Sequence, residues 1–169
     1  AAAFIASSTA SREAQIAYGA DEKKCFISYL TVDIQKYLYE KPQKTTQNEG
    51  LQLLYVGSLI QRKGLDLLLP ALAKTPQNIR LWIVGEGQEK DLLEKQCTEL
   101  KISDRVEFLG YQEGEPLQKL YRTADAFVLP TREDCFGLVL LEAMCASLPI
   151  ISSKYADGAR DLVSDGENG

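Results

Sequence analysis

Five short apolar runs recur through the chain after residue 50: LQLLYV (51–56), LWIV (81–84), VEFL (106–109), AFVL (126–129) and PIIS (149–152). They alternate little, as expected of strands buried on both faces. Between them the apolar period changes. Leu65, Leu68, Leu69 and Leu72 fit the i, i+3, i+4, i+7 spacing of one helix face, as do Leu117, Leu120, Tyr121 and Ala124. Leu93, Cys97 and Leu100 mark a third stripe. Pro70 lies inside the first stripe and predicts a kink in that helix or a displaced start. Strand–helix alternation with short loops predicts a Rossmann-like, doubly wound parallel α/β sheet with helices on both faces. Ligands of such sheets bind at the carboxyl ends of the strands. The loops GSLIQRKG, GEGQ, GYQEGE and PTREDCFG, all rich in glycine or charge, therefore carry the candidate site.

The first 50 residues read differently. Phe4-Ile5-Ala6 predicts the end of an apolar strand, followed by a Ser/Thr cap and a short helix stopped by Gly19. KPQKTTQNEG (41–50) has no apolar periodicity and reads as a linker. The start has neither a Met nor a basic region ahead of an apolar one, so it does not read as a signal peptide. The other end stops at ENG, where a further strand is expected, and the whole reads as an excised fragment. A length of 169 residues suits one domain, or one domain with a piece of another.

Charge and composition remove several function classes. A net charge of −5 argues against non-specific nucleic-acid binding, which depends on a basic surface to neutralise phosphates. No apolar run approaches the roughly 20 residues that span a bilayer. The four cysteines (Cys25, Cys97, Cys135, Cys145) form no CxxC pair and there is no histidine, so zinc-site spacings are missing and histidine-based acid–base or triad chemistry is excluded within the chain. The cysteines read as reduced thiols of a cytosolic protein.

GEGQEK (85–90) begins like a dinucleotide fingerprint but carries Lys90 where the third glycine belongs, and a tight turn into a helix accounts for it. GSLIQRKGLD (57–66) lacks the GK[ST] that closes a Walker A loop. It does place Arg62 and Lys63 beside a glycine at a strand's carboxyl end, where two cations suit a phosphate, although a solvated basic turn is the commoner outcome of such a pair. The strongest signal is REDCFGLVLLEAM (132–144), which predicts a helix beginning near Gly137. First-turn N–H groups lack intrahelical acceptors and sit at the positive end of the macrodipole. Phe136, Gly137 and Leu138 therefore present backbone donors to an anion such as a pyrophosphate, and Gly137 permits close approach. Glu142 lies four residues past Leu138 on the same face, its side chain leaning back toward the helix start, where it could accept two hydroxyl hydrogen bonds from a ribose diol. A carboxylate paired with a neighbouring loop explains Glu142 equally well from the helix alone. Asp134, just before the helix, would face the other end of such a ligand.

The D-x7-E spacing with FG inside it, followed by EAM and a Pro-led apolar strand, resembles the E-x7-E element of retaining family-four glycosyltransferases of the GT-B fold. LLYVGSLIQRKGLDLLLPALA is similar to the first βα unit of their donor domain, LWIVGEG to the second, and VEFLGY with LQKLYRTADAFVLPTRED to the next two. The resemblance covers essentially all of residues 51–169, and residues 1–40 look like the last strand and helix of the acceptor domain plus the crossover. It implies a boundary between residues 42 and 43, with a nucleotide-sugar-binding domain from 43 onward.

The resemblance further implies transfer of a sugar from a nucleotide-diphosphate sugar, with retention, to a saccharide or lipid-linked acceptor held by the other, N-terminal domain, in polysaccharide or glycolipid synthesis. Lys63 with Arg62 would hold the diphosphate in the loop opened by Gly57 and Ser58, joined by the backbone of Phe136, Gly137 and Leu138. Glu142 would take the ribose hydroxyls, Asp134 the transferred sugar, and Gly110 and Tyr111 the base. No cofactor and no metal is implied, and no nucleophile is assigned. A cytoplasmic protein is expected, peripheral at the inner membrane face through its other half. Departures from the pattern are Asp134 in place of a Glu, Ser58 in place of a phosphate-binding Arg, Ser147 in place of a helix-ending glycine, and Arg160-Asp161 in place of Pro-Glu. They leave open an alternative, a non-catalytic nucleotide-sugar-binding or assembly module of the same fold.

Overall fold

The computed structural model describes residues 3–38 and 50–169. The linker reading of 41–50, Gly50 aside, and the boundary at 42–43 lie outside the described residues. The strands are β1 Phe4–Ala6, β2 Cys25–Ile27, β3 Leu51–Val56, β4 Ile79–Val84, β5 Val106–Gly110, β6 Ala126–Leu129 and β7 Ile150–Ser152. The helices are α1 Thr9–Ala17, α2 Ile34–Tyr37, α3 Leu65–Ala73, α4 Lys90–Glu99, α5 Gly114–Thr123, α6 Leu138–Cys145 and α7 Asp157–Leu162. Strands β3 to β7 form one parallel sheet in the order β5-β4-β3-β6-β7.

That order explains the two helical layers. Right-handed crossovers put α3 and α4, which step from β3 outward to β5, on one face. The chain then returns past β4 and β3 to β6, which puts α5 and α6 on the other. Contacts agree: α3 packs on α4, while α2 packs on both α5 and α6. The core between the layers is built from Leu54, Leu81, Ile83 and Phe127 of the sheet with Leu69, Tyr121 and Leu140 of the helices, all fully buried. Each such side chain contributes on the order of 2 kcal/mol by leaving water.

Pro70 neither displaces the start of α3 nor ends the helix, which runs from Leu65 through Ala73. A proline at this position cannot donate to the carbonyl four residues back. That carbonyl, Asp66 O, accepts instead from the Gln96 side-chain amide at 3.0 Å. Two helix ends share another device. Lys101 after α4 and Ser147 after α6 both have φ of 57°, the left-handed region. In each case the next residue's N–H (Ile102, Leu148) bonds the carbonyl five residues back, closing a Schellman turn over a buried apolar side chain. The left-handed position expected at Ser147 is thus occupied by a serine.

The N-terminal segment forms its own unit. Ser8 caps α1 by accepting from the Ser11 N–H at 3.0 Å, and Gly19 follows the helix end with φ of 96°. Strand β2, three residues directly after the charged stretch DEKK, was not legible as a strand and pairs in parallel with β1. This unit is fastened to α7: Thr9 N–H donates to Asp161 at 2.7 Å, and Arg160 forms a two-pronged pair with Glu13 at 2.7 and 2.9 Å.

Candidate functional site

Because β3 and β6 are neighbours although distant in sequence, the loops that follow them meet at the point where the strand order reverses. The β3 loop turns through Gln61–Lys63 into Gly64, whose φ is 72°. A Cβ on Gly64 would lie 2.2 Å from the Pro130 carbonyl oxygen, so only glycine allows the two loops to touch. Around that contact, Arg132 N–H donates to the Arg62 carbonyl at 2.8 Å, and the Arg132 guanidinium grips both oxygens of Asp66 at 2.7 Å. Beneath the β3 loop, the buried Tyr55 hydroxyl donates to the Ser58 carbonyl at 3.0 Å. Burial, and then the charge of Asp134, push the Tyr55 hydroxyl well above its ordinary range. The GEG loop packs alongside: Gly57 N–H bonds Val84 O and Gly85 N–H bonds Gly110 O.

Lys63 and Asp134 form a direct ion pair, with side chains only 15% and 13% exposed. The second oxygen of Asp134 accepts from the Phe136 N–H at 3.3 Å. The resemblance assigns Lys63 and Phe136 to a diphosphate and Asp134 to a sugar; the structure brings all three together, with the Asp134 carboxylate engaging both donors. Its backbone is pinned to the following loop, since Asp134 N–H donates to Tyr155 O and Asp157 N–H donates to Asp134 O. Burial, and then the nearby Asp134 charge, push the Asp157 carboxyl above its usual value.

Helix α6 starts where the sequence predicts. Gly137 stands ahead of it with φ of 80° and ψ of 65°, a left-handed conformation. Five residues on, Glu142 accepts a hydrogen bond from Tyr121 of α5 at 2.7 Å. Tyr37 of α2 packs edge-on against Tyr121: burial first, then the charge and hydrogen bond of Glu142, push its pKa up to about 12. Tyr121 is pushed up for the same causes in the same order. Glu142 is therefore a half-buried carboxylate held by a helix tyrosine, Tyr121.

The remaining candidates spread along the same end of the sheet. Arg62 is exposed and donates to the Glu133 carbonyl at 3.1 Å. Ser58 is exposed, and Leu138 is 42% exposed. Gly110 and Tyr111 stand at the end of β5, two strands from β3, with Tyr111 65% exposed and its hydroxyl donating to Glu113 at 2.9 Å. Sequence reasoning missed Tyr37, Tyr55, Tyr121 and Asp157 as parts of this end. For Tyr121 a signal existed: a tyrosine in a core stripe must find a partner for its hydroxyl. Among the described residues no three His, Cys, Asp or Glu side chains are grouped to hold a metal ion, and no helix is long and apolar enough to cross a membrane. The four cysteines are free.

A doubly wound parallel sheet with cation, helix start and carboxylates gathered at its switch point defines the class: a Rossmann-like half of the GT-B architecture. The profile of the family described as Glycosyl transferases group 1 matches residues 39–169, and the chain belongs to this family. An uncharacterized glycosyltransferase of Methanocaldococcus jannaschii is 37% identical over 125 residues, covering 73% of this chain and 32% of that protein. The lipopolysaccharide core biosynthesis glycosyltransferase LpsE of Rhizobium meliloti is 33% identical over 130 residues, 77% of this chain and 37% of the relative. Among solved structures, the apo lipopolysaccharide outer core galactosyltransferase WaaB aligns with a TM-score of 0.87 at 29% identity, over 100% of this chain and 48% of the other. Anabaena HepE in complex with UDP aligns with a TM-score of 0.87 at 30% identity, over 100% of this chain and 49% of the other. The chain thus spans about a third to a half of the length of these four proteins.

Proposed function

We propose that this chain is the donor-binding half of a retaining glycosyltransferase, which moves a sugar from a nucleotide-diphosphate sugar to a saccharide or lipid-linked acceptor in polysaccharide or glycolipid synthesis. The observation that carries the reading is the anion seat at the switch point, formed by Lys63 and the Phe136 N–H just ahead of α6 and engaged by the carboxylate of Asp134. In this reading the diphosphate replaces that carboxylate on Lys63 and on the backbone donors of Phe136, Gly137 and Leu138. Asp134, released, turns to the hydroxyls of the transferred sugar. Arg62 supplies the second cation that Ser58 cannot, in the loop that Gly57 opens. Glu142 takes the ribose hydroxyls, and Gly110 and Tyr111 face the base. Neither a metal nor another cofactor enters this scheme. Acceptor binding falls to the part of the protein N-terminal to the five-stranded sheet.

Relatives supply the first probe, since HepE has been solved with UDP and with UDP-glucose. Calorimetric titration of the chain with UDP-, GDP- and ADP-sugars is expected to show saturable binding to at least one of them. Failure of all three would sink the proposal.

A further inference from the structure

Tyr121, which holds Glu142, and Tyr37, packed against it, belong to no part of the donor scheme above, and their geometry says what they add to it. Tyr121 is 0% exposed, its ring packed edge-on against Tyr37 at 5.7 Å and tilted against Phe127 at 6.0 Å. A phenylalanine would fill that space. The hydroxyl adds one thing, the 2.7 Å hydrogen bond to Glu142. An ionised carboxylate has about four acceptor positions. Tyr121 takes one. The others can accept both protons of a vicinal diol. A glutamate whose head is already held also loses less rotamer freedom when a ligand arrives than one that must be ordered by the ligand.

We propose that Tyr121, with Tyr37, is a positioning residue that presents Glu142 to the ribose diol, so that discrimination between ribonucleotides and their dideoxy counterparts is set from beneath α6. The inference rests on the reading of Glu142 as the ribose acceptor. It also ties α2, the last described element before the five-stranded sheet, to nucleotide recognition, since Tyr37 ends that helix and packs edge-on against Tyr121.

The test compares UDP, GDP and ADP with their 2′,3′-dideoxy forms by calorimetry, on the unaltered chain and on Tyr121→Phe and Tyr37→Phe. The unaltered chain is expected to prefer the ribonucleotide it binds by at least about tenfold, from hydrogen bonds to a charged acceptor. Tyr121→Phe should cut that preference to about threefold or less while leaving affinity for the dideoxy form unchanged. A merely structural role would weaken both forms in proportion and leave the ratio intact. An intact ratio in Tyr121→Phe overturns the inference while the donor reading stands. No preference in the unaltered chain overturns the reading of Glu142 itself, and the inference with it. No binding of any nucleotide overturns the donor site altogether. Should Tyr121→Phe not fold, the half-buried Tyr37→Phe decides alone: a ratio reduced by at least about threefold supports the inference, and an unchanged ratio overturns it.

Discussion

At the scale of single residues, the Lys63–Asp134 pair makes opposite predictions for binding and stability. Lys63→Met leaves a mostly buried carboxylate without its counter-charge and should cost about 2 kcal/mol in chemical denaturation. Adding Asp134→Asn should restore most of that loss. Binding separates the same variants. Asp134→Asn alone removes a competing anion and should tighten a plain nucleoside diphosphate several-fold, whereas the double variant should bind it poorly; equal binding by all variants in a titration would contradict the seat. Asp157 tests the local field. Its carboxyl is raised by burial and by Asp134, so folding favours the protonated form and its contribution to stability falls as pH rises from the unfolded value through the folded one. Asp157→Asn should therefore raise the melting temperature at pH 7 and leave it unchanged below the usual carboxylate range. Lys63, Asp134 and the Phe136-Gly137 turn were legible because they follow apolar strands. Their meeting was not, since Lys63 and Asp134 lie 71 positions apart and become neighbours only through the strand order, which alternation does not specify.

At the scale of elements, local rules were followed where they were satisfied by the backbone and overridden where a side chain could intervene. Every strand read in residues 51–152 is present, because a run buried on both faces leaves a plain apolar signal. Pro70 leaves the start of α3 in place, and the carbonyl it strands is met from another helix: Gln96, one turn before the end of α4, has no sequence relation to Pro70 that would announce it. The Schellman ends offer a cleaner reading. Lys101 is exposed and left-handed, so Lys101→Gly should stabilise the fold by about 1 kcal/mol, visible as a higher denaturation midpoint with an unchanged slope.

At the scale of the whole molecule, two sheets are joined through α1 and α7. Thr9 receives its acceptor from Asp161, and Glu13 its partner from Arg160. Asp161→Ala should raise amide exchange across residues 4–27 while leaving the amides of β3 and β4 as slow as before; equal acceleration in both would show a global loss instead. The strand order has one more consequence, for synthesis. β3 acquires its inner neighbour only when β6 emerges, some 70 residues later. At ribosomal speeds of ~5–20 residues per second, that is roughly 4 to 14 seconds. Throughout that interval a nascent chain carries an apolar strand with an unpaired edge, the kind of surface that seeks another copy of itself. Translation halted short of Ala126 therefore releases a species with no crevice at the switch point and an open edge beside it.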